Sequence, residues 1–385
     1  MVEQTIATSD EAAAKVQRKA GLEGVVAATT AISNVDGQAG RLVYRGYDIH
    51  DLAHSTTFEE IAYLLWFGHL PTRTELDGLR ANLLAERTLP DSILSLLRGL
   101  PAETAPMDAL RTVISAWGMY SQIEGTPTIE QALALTARFP LILTTFHRFR
   151  QGLEPLESRS DLGYTANYLY LLTGQEPKPE HVTSLDAYLV MLADHNMNAS
   201  TFTARIVAST SSDLVSAVVA AIGALKGPLH GGAADKAQEM LEAIGTTENA
   251  EPWIRATLTS GGRLMGFGHR AYKTTDPRAE ELREMALQAD PERFVFARRV
   301  EELAVAILAE IKPGRRLYTN VDFYSAVLLN SVGIPVDLFT PTFGVARIAG
   351  WTAHILEQAG DNRLIRPLAE YTGATYAVFV PLDER

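Results

Sequence analysis

"TTFEEIAYLLWFGHLPTRTELDGLR", residues 56–80, decides the fold class. Thr56 and Glu59 have the spacing of a capping box, in which a hydroxyl and a carboxylate three residues apart satisfy free backbone N–H groups at a helix start. Phe58, Ile61, Ala62 and Leu65 follow at i, i+3, i+4 and i+7, one face of a helix, and the stripe stops near Gly68 and Pro71. Thr72 and Glu75 repeat the device at once, so a second helix starts after a tight turn. The same period recurs from Asp108 to Trp117, from Ile129 to Ala137 and from Leu185 to Leu192. Strand patterning is scarce. RLVYRGYDI (41–49), after Asp36-Gly37, suits a small hairpin with Val25 to Ile32, and YAVFV (376–380) reads as another strand. A mainly α protein with a minor β hairpin is expected.

With 385 residues the chain is long enough for a large core and a second domain. Residues 226–330 are richer in glycine than what precedes them. They are expected to form a smaller helical domain set into a large helical domain made of 1–225 and 331–385. Lys and Arg total 34 against 46 Asp and Glu, a net charge of −12, which disfavours a nucleic-acid partner because such binding rests on phosphate neutralisation. The absence of cysteine excludes disulfides, thiol nucleophiles and cysteine metal sites. The acidic start MVEQTIATSDEAAAK has no apolar run of signal-peptide length, and LVSAVVAAIGAL (214–225) is too short to span a bilayer. A cytoplasmic protein without a membrane partner is expected.

Four stretches carry polar groups where the local pattern does not call for them. GFGHRAYKTTDPR (266–278) holds His269, Arg270, Lys273 and Arg278 among glycines. ADHNMNAS (193–200) places Asp194, His195, Asn196 and Asn198 on a helical pattern. KGPLHGGAADK (226–236) sets His230 before a glycine pair, and YTNVDFYSAVLLN (318–330) sets Asp322 in an apolar run. Each has a plain structural reading. Histidines beside glycine are commonly turn residues, Asp322 suits a helix N-cap, and Asp276-Pro277 suits an N-cap followed by proline at the first helical position. GFGHRA fits a relaxed dinucleotide-binding fingerprint, but no strand precedes it. Neither an HExxH nor an HxxxH pair is read among the histidines and the polar candidates are widely spaced, so no metal is expected.

Together the four stretches are far more specific than any one of them. KGPLHGGAA resembles the catalytic-histidine motif of citrate synthases, MGFGHRAYKTTDPRA their second-histidine segment, NVDFYSA their catalytic-aspartate segment and ADHNMNAS their upstream substrate-histidine helix. FGVARIAGWTAHILEQ and RLIRPLAEYTG resemble the C-terminal substrate-arginine region. The likeness runs in order from GLEGVVAATTAIS to YTG.

The resemblance implies a citrate synthase-like fold and a tricarboxylic-acid-cycle enzyme that condenses acetyl-CoA with oxaloacetate and hydrolyses citryl-CoA. The reaction uses no metal or other cofactor beyond the CoA thioester substrate. It implies that Asp322 takes the methyl proton, His230 supports the enolate oxygen and His269 polarises the oxaloacetate carbonyl. His195, Arg278, Arg347 and Arg366 would hold oxaloacetate. Arginine suits a dianion because its fork binds carboxylates bidentately. Arg263, Leu264, Met265, Gly266, Phe267 and Lys273 would bind CoA, with Arg270, Lys312, Arg315 and Arg316 as weaker phosphate candidates. The family's short members are homodimers, which would place Arg366 in the partner's site. 2-Methylcitrate synthase, which uses propionyl-CoA, shares all these residues and stays open.

Overall fold

The computed structural model describes residues 20–269, 271–314, 317–374 and 376–385. Helices dominate, as the sequence predicts. After a three-stranded antiparallel sheet (β1 Ser33–Asp36, β2 Arg41–Tyr44, β3 Tyr47–Asp48) come α1 Ile49–Ser55, α2 Phe58–Phe67, α3 Arg73–Ala85, α4 Asp91–Gly99, α5 Pro106–Tyr120 and α6 Ile129–Arg150. Then follow α7 Tyr164–Thr173, α8 Pro179–Leu192, α9 Ala199–Ser209, α10 Leu214–Leu225 and α11 Ala233–Ile244. The series ends with α12 Thr247–Thr259, α13 Pro277–Ala289, α14 Pro291–Ile311, α15 Val321–Ser331 and α16 Phe339–Gly360. No helix among the described residues is long and apolar enough to cross a membrane.

Three local expectations shift. The capping box of α2 is Thr57 with Glu60, one residue later than the spacing of Thr56 and Glu59 suggests. Glu59 is instead buried, where its carboxylate accepts from the Tyr164 N–H (3.2 Å) and faces Arg80. The Thr72–Glu75 box forms as expected. β2 pairs with Ser33–Asp36 rather than with Val25 to Ile32, because Asp36 accepts from the N–H groups of Gln38 and Ala39 and closes the turn there. Residues 376–380 form no strand. They lie exposed, with no neighbouring strand among the described residues to supply a ladder.

The centre of the molecule is α16. Seventeen of its 22 residues are buried, among them Arg347, Trp351 and His354, and it packs on α2, α5, α6, α8, α9 and α10. A helix enclosed on all sides needs small residues where backbones meet. Gly350 is such a point: a Cβ there would lie 2.3 Å from Ala193 O and 2.6 Å from Asp194 Oδ1, so only glycine lets α16 reach the end of α8. Helices α11 to α15 pack on one another. They meet the rest through α13 on α1 and α8, α15 on α8, and α11 on α16. Of the candidate site residues singled out by sequence, Arg278, Asp322 and Arg347 lie on helices along that boundary.

Candidate active site

The turn between α8 and α9 presents His195. Asn196 takes a left-handed conformation (φ 50°), which asparagine tolerates better than most residues, and its amide donates to Ser33 O at 2.5 Å. Asp194 is fully buried and anchors the turn. It accepts from the Ser33 hydroxyl and from the Asn196 N–H (3.0 Å), and faces His354 Nε2 at 3.2 Å. Burial raises its carboxyl, but His354 and Arg347 more than offset this and hold it below the usual range. Asp194 is therefore a structural anchor, and Asn198 caps α9. His195 Nε2 lies 3.1 Å from the Tyr272 hydroxyl, and its ring centroid is 5.7 Å from that of His269. Burial and the charges of Arg278 and Arg347 push His195 far below its ordinary value, so the ring is neutral at physiological pH.

His230 sits in the turn before α11. Its Nε2 meets the Ser200 N–H at 3.3 Å and the Ser200 Oγ at 2.8 Å, and Trp351 Nε1 donates to the same Oγ at 3.0 Å. A backbone N–H only donates, so Nε2 accepts and the ring proton sits on Nδ1. Burial, reinforced by the Arg347 charge, lowers His230 to about 4. His269 has the opposite tautomer. Its Nδ1 accepts from the N–H groups of Ala271 (3.0 Å) and Tyr272 (3.1 Å), which leaves the proton on Nε2. Burial and Arg278 lower His269 to about 4 as well. Both rings are thus neutral donors with fixed tautomers.

Asp322 stands at the second position of α15. The N-cap is Asn320, whose side chain accepts from the Asp322 N–H at 3.0 Å, so capping leaves the Asp322 carboxylate free for another role. Burial raises Asp322 to about 6, against the pull of Arg278. Gly266 ties the histidine loop to this helix. It has φ 81°, and a Cβ there would lie 2.6 Å from Phe323 Cβ. Asn320 holds both sides of the junction, its N–H donating to Gly266 O (2.9 Å) and its amide to Gly268 O (2.9 Å).

Two buried arginines complete the cluster, and they differ. Arg278, on the first turn of α13, is clamped by Asp276, with Nε 3.0 Å from Oδ1 and Nη2 2.8 Å from Oδ2. Burial alone would lower Arg278, but Asp276 outweighs it and the guanidinium stays firmly charged. Asp276 is the N-cap that the sequence predicts. Its second task, pinning the arginine, leaves no sequence signal beyond the Asp-Pro-Arg spacing. Arg347 is 1% exposed; its Nε donates to Leu192 O at 2.7 Å and its guanidinium lies 4.6 Å over the Phe343 ring. Its Nη2 has no hydrogen-bond partner among the described residues, and burial lowers the guanidinium to about 10. A buried cation with an unsatisfied donor costs free energy unless a ligand supplies an anion to it.

The family model described as "Citrate synthase, C-terminal domain" matches residues 21–368. The chain belongs to the citrate synthase family. It is 46% identical over 375 residues to citrate synthase 2 of Bacillus subtilis, covering 95% of this chain and 98% of the relative. It is 44% identical over 379 residues to the citrate synthase of Haloferax volcanii, covering 95% and 99%. A 2-methylcitrate synthase of Corynebacterium glutamicum also matches, 39% identical over 378 residues, covering 95% and 97%. Among solved structures, the ternary complex of Thermoplasma acidophilum citrate synthase with carboxymethyl coenzyme A and oxaloacetate superposes with a TM-score of 0.88 at 31% identity, covering 95% and 99%.

Of the citrate synthase residues expected from sequence, His195, Arg278 and Arg347 interact electrostatically, His269 lies beside His195, and Asp322 feels the Arg278 charge. Arg366 stays apart. It is exposed on the extended tail after α16, which is fastened to its own body where the Ile365 N–H donates to Ser209 Oγ (3.0 Å). In the expected CoA segment, Leu264 is buried, Met265 and Phe267 are half-buried and Arg263 is exposed. Lys273 is exposed, and its N–H donates to Gly37 O at 2.8 Å, next to the β1–β2 turn. Arg270, Arg315 and Arg316 lie outside the described residues, whereas Lys312 is half-buried. Sequence reading missed Ser200, Trp351 and Tyr272. All three lie inside the quoted motifs but show their role only through contacts: Ser200 with His230, Trp351 with Ser200, and Tyr272 with His195.

Proposed function

We infer that the chain condenses acetyl-CoA with oxaloacetate and hydrolyses the citryl-CoA formed, releasing citrate and CoA. The observation that carries this reading is Arg347, a buried guanidinium with an unpartnered Nη2 beside neutral histidines of fixed tautomer. Such a cation calls for an anionic substrate, and a carboxylate of oxaloacetate satisfies it bidentately. Arg278, already oriented by Asp276, faces the second carboxylate, and His195 adds a neutral contact.

The chemistry asks for this arrangement. A thioester α-proton is weakly acidic, so its removal needs a base and a donor aimed at the oxygen that gains charge. Asp322, raised to about 6, is ionised at neutral pH yet more basic than an aqueous carboxylate. It takes the methyl proton while His230 Nδ1–H donates to the thioester oxygen. The enol carbon then attacks the oxaloacetate carbonyl, whose oxygen receives the His269 Nε2 proton. Water next attacks the citryl thioester and the CoA thiol departs.

Closure of segment 226–330 over the remaining helices fits this order, since the enol must be shielded from water before C–C bond formation. The loop from Arg263 to Phe267 with Lys273 is the proposed CoA cradle. The tail supports a homodimer. Leu364, Leu368, Tyr371, Tyr376, Val378 and Phe379 are exposed on it, an apolar surface suited to a second copy of the chain, and Arg366 would then enter the partner's site. No metal or further cofactor is assigned to the condensation, and the cytoplasm, where the tricarboxylic acid cycle runs in a bacterial or archaeal cell, is the proposed compartment.

Propionyl-CoA would engage the same groups, and one methylene changes discrimination by only about 1–3 kcal/mol. Thiol release with oxaloacetate is therefore compared for the two thioesters. Acetyl-CoA is expected to have the higher kcat/KM, and a clear reversal would make the protein a 2-methylcitrate synthase.

A further inference from the structure

A second cluster of titratable groups lies away from the reacting atoms, between α1 and α13. His50 and His54 are one turn apart on α1, a spacing that the reading of the sequence passed over, and Glu281 and Glu284 are one turn apart on α13. The ligand atoms of His54, Glu281 and Glu284 all lie within 4.8 Å of one another. Glu281 is the buried member, with its side chain 9% exposed. Its Oε1 pairs with His50 Nδ1. Its Oε2 lies against His54 Nε2 but makes no hydrogen bond, so a buried carboxylate oxygen is left unsatisfied at the point where the three groups converge.

Ion pairing with His50 and His54 still leaves Oε2 without a hydrogen bond and Glu284 without an account. A buried acceptor without a donor is costly, and two carboxylates at this spacing repel. A cation removes both penalties. The local field favours one: Asp48, Asp51 and Glu280 flank the cluster, while Arg283, which lies between the two glutamates in sequence, is turned to Glu301 at 2.7 Å. One imidazole with two carboxylates suits a borderline divalent transition ion of the zinc class. Bonds of about 2 Å would draw the ligand atoms to roughly 3.3 Å apart, a contraction open to the exposed side chains of His54 and Glu284.

We propose that His54, Glu281 and Glu284 form a zinc-class metal site that fastens α1 to α13, with His50 orienting Glu281 through its hydrogen bond and water completing the coordination. The ion takes no part in condensation. Its effect is mechanical, because Glu281 lies one turn beyond Arg278 on the same helix, so the site fixes the helix that carries a substrate arginine.

The test uses untagged, chelator-stripped full-length protein titrated with Zn2+ against a chromophoric chelator, and with Co2+ followed by its visible d–d absorption. One Zn2+ per chain with micromolar or tighter Kd is expected, with a rise in Tm on binding. His54→Gln and Glu284→Gln, both at exposed positions, should each weaken binding at least about tenfold, and His50→Gln by about tenfold. His181→Gln should change nothing, and citrate formation should persist in all four variants. Absence of stoichiometric binding would overturn the site, as would binding that survives both His54→Gln and Glu284→Gln.

Discussion

Arg347→Met separates a residue kept for stability from one kept for a ligand. In the free protein Arg347 is a liability. Its fall from the usual arginine range to about 10 corresponds to about 3 kcal/mol of destabilisation. The sign follows from linkage: a base whose folded value is depressed is charged in both states at neutral pH, so the penalty applies in full there. Methionine removes that charge and fills much of the space. Against the gain stands the lost bond to Leu192 O, which leaves a carbonyl unsatisfied at about 1–3 kcal/mol. Asp194 loses a favourable neighbour but keeps His354. The net expectation is a ligand-free protein as stable as the parent or about 1 kcal/mol more so. For 385 residues that is about 1 °C in Tm. Oxaloacetate reverses the comparison. At a hundred times its Kd it should stabilise the parent by about 2.7 kcal/mol, roughly 3 °C. Loss of a buried charge-pair partner costs about 2–5 kcal/mol. The same concentration should then stabilise the variant by about 0.9 kcal/mol at most, and by almost nothing at the upper end of that loss. Differential scanning calorimetry with and without oxaloacetate reads both arms. A ligand-free Tm several degrees below the parent, together with a retained oxaloacetate shift, would refute the assignment of Arg347 to substrate.

Three other expectations follow from the geometry. With Asp322 raised to about 6 and its ionised form required, kcat should fall as pH drops through about 6; His230 and His269, lowered to about 4, add no limb between pH 5 and 8. Asp322→Asn should lower kcat by about 10²–10⁴ and abolish that limb, and near-normal turnover would remove Asp322 from the mechanism. Ser200→Ala removes the hydroxyl contact to His230 and leaves only the backbone N–H to hold the ring, which should cost about tenfold in kcat with little change in oxaloacetate KM, whereas unchanged kcat would mean that the Ser200 hydroxyl does not position the ring. Inactive Asp322→Asn and Arg366→Ala homodimers, once mixed, should regain about a quarter of parental activity if each site takes Arg366 from its partner, and no recovery after confirmed subunit exchange would place Arg366 elsewhere.

The helical class was legible in the sequence alone, and so were the residues proposed here to react. Helix period and capping depend on residues three or four apart, and His230, His269 and Asp322 sit in short motifs whose order along the chain is enough to recognise them. It placed the second capping box correctly and the first one residue early, because Glu59 and Glu60 are alike locally and only burial against Tyr164 and Arg80 tells them apart. Long-range contact decided the rest. The tautomers of His230 and His269 depend on a serine 30 residues away in one case and on two neighbouring N–H groups in the other. The difference between Arg278, clamped by Asp276, and Arg347, left open for a ligand, appears only once α13, α8 and α16 are packed. His50 and His54 drew no notice as a pair until α13 brought Glu281 and Glu284 against them. A sequence fixes which donors and charges are available, but protonation, burial and partnership are properties of the enclosed space between helices, which exists only after the chain has folded.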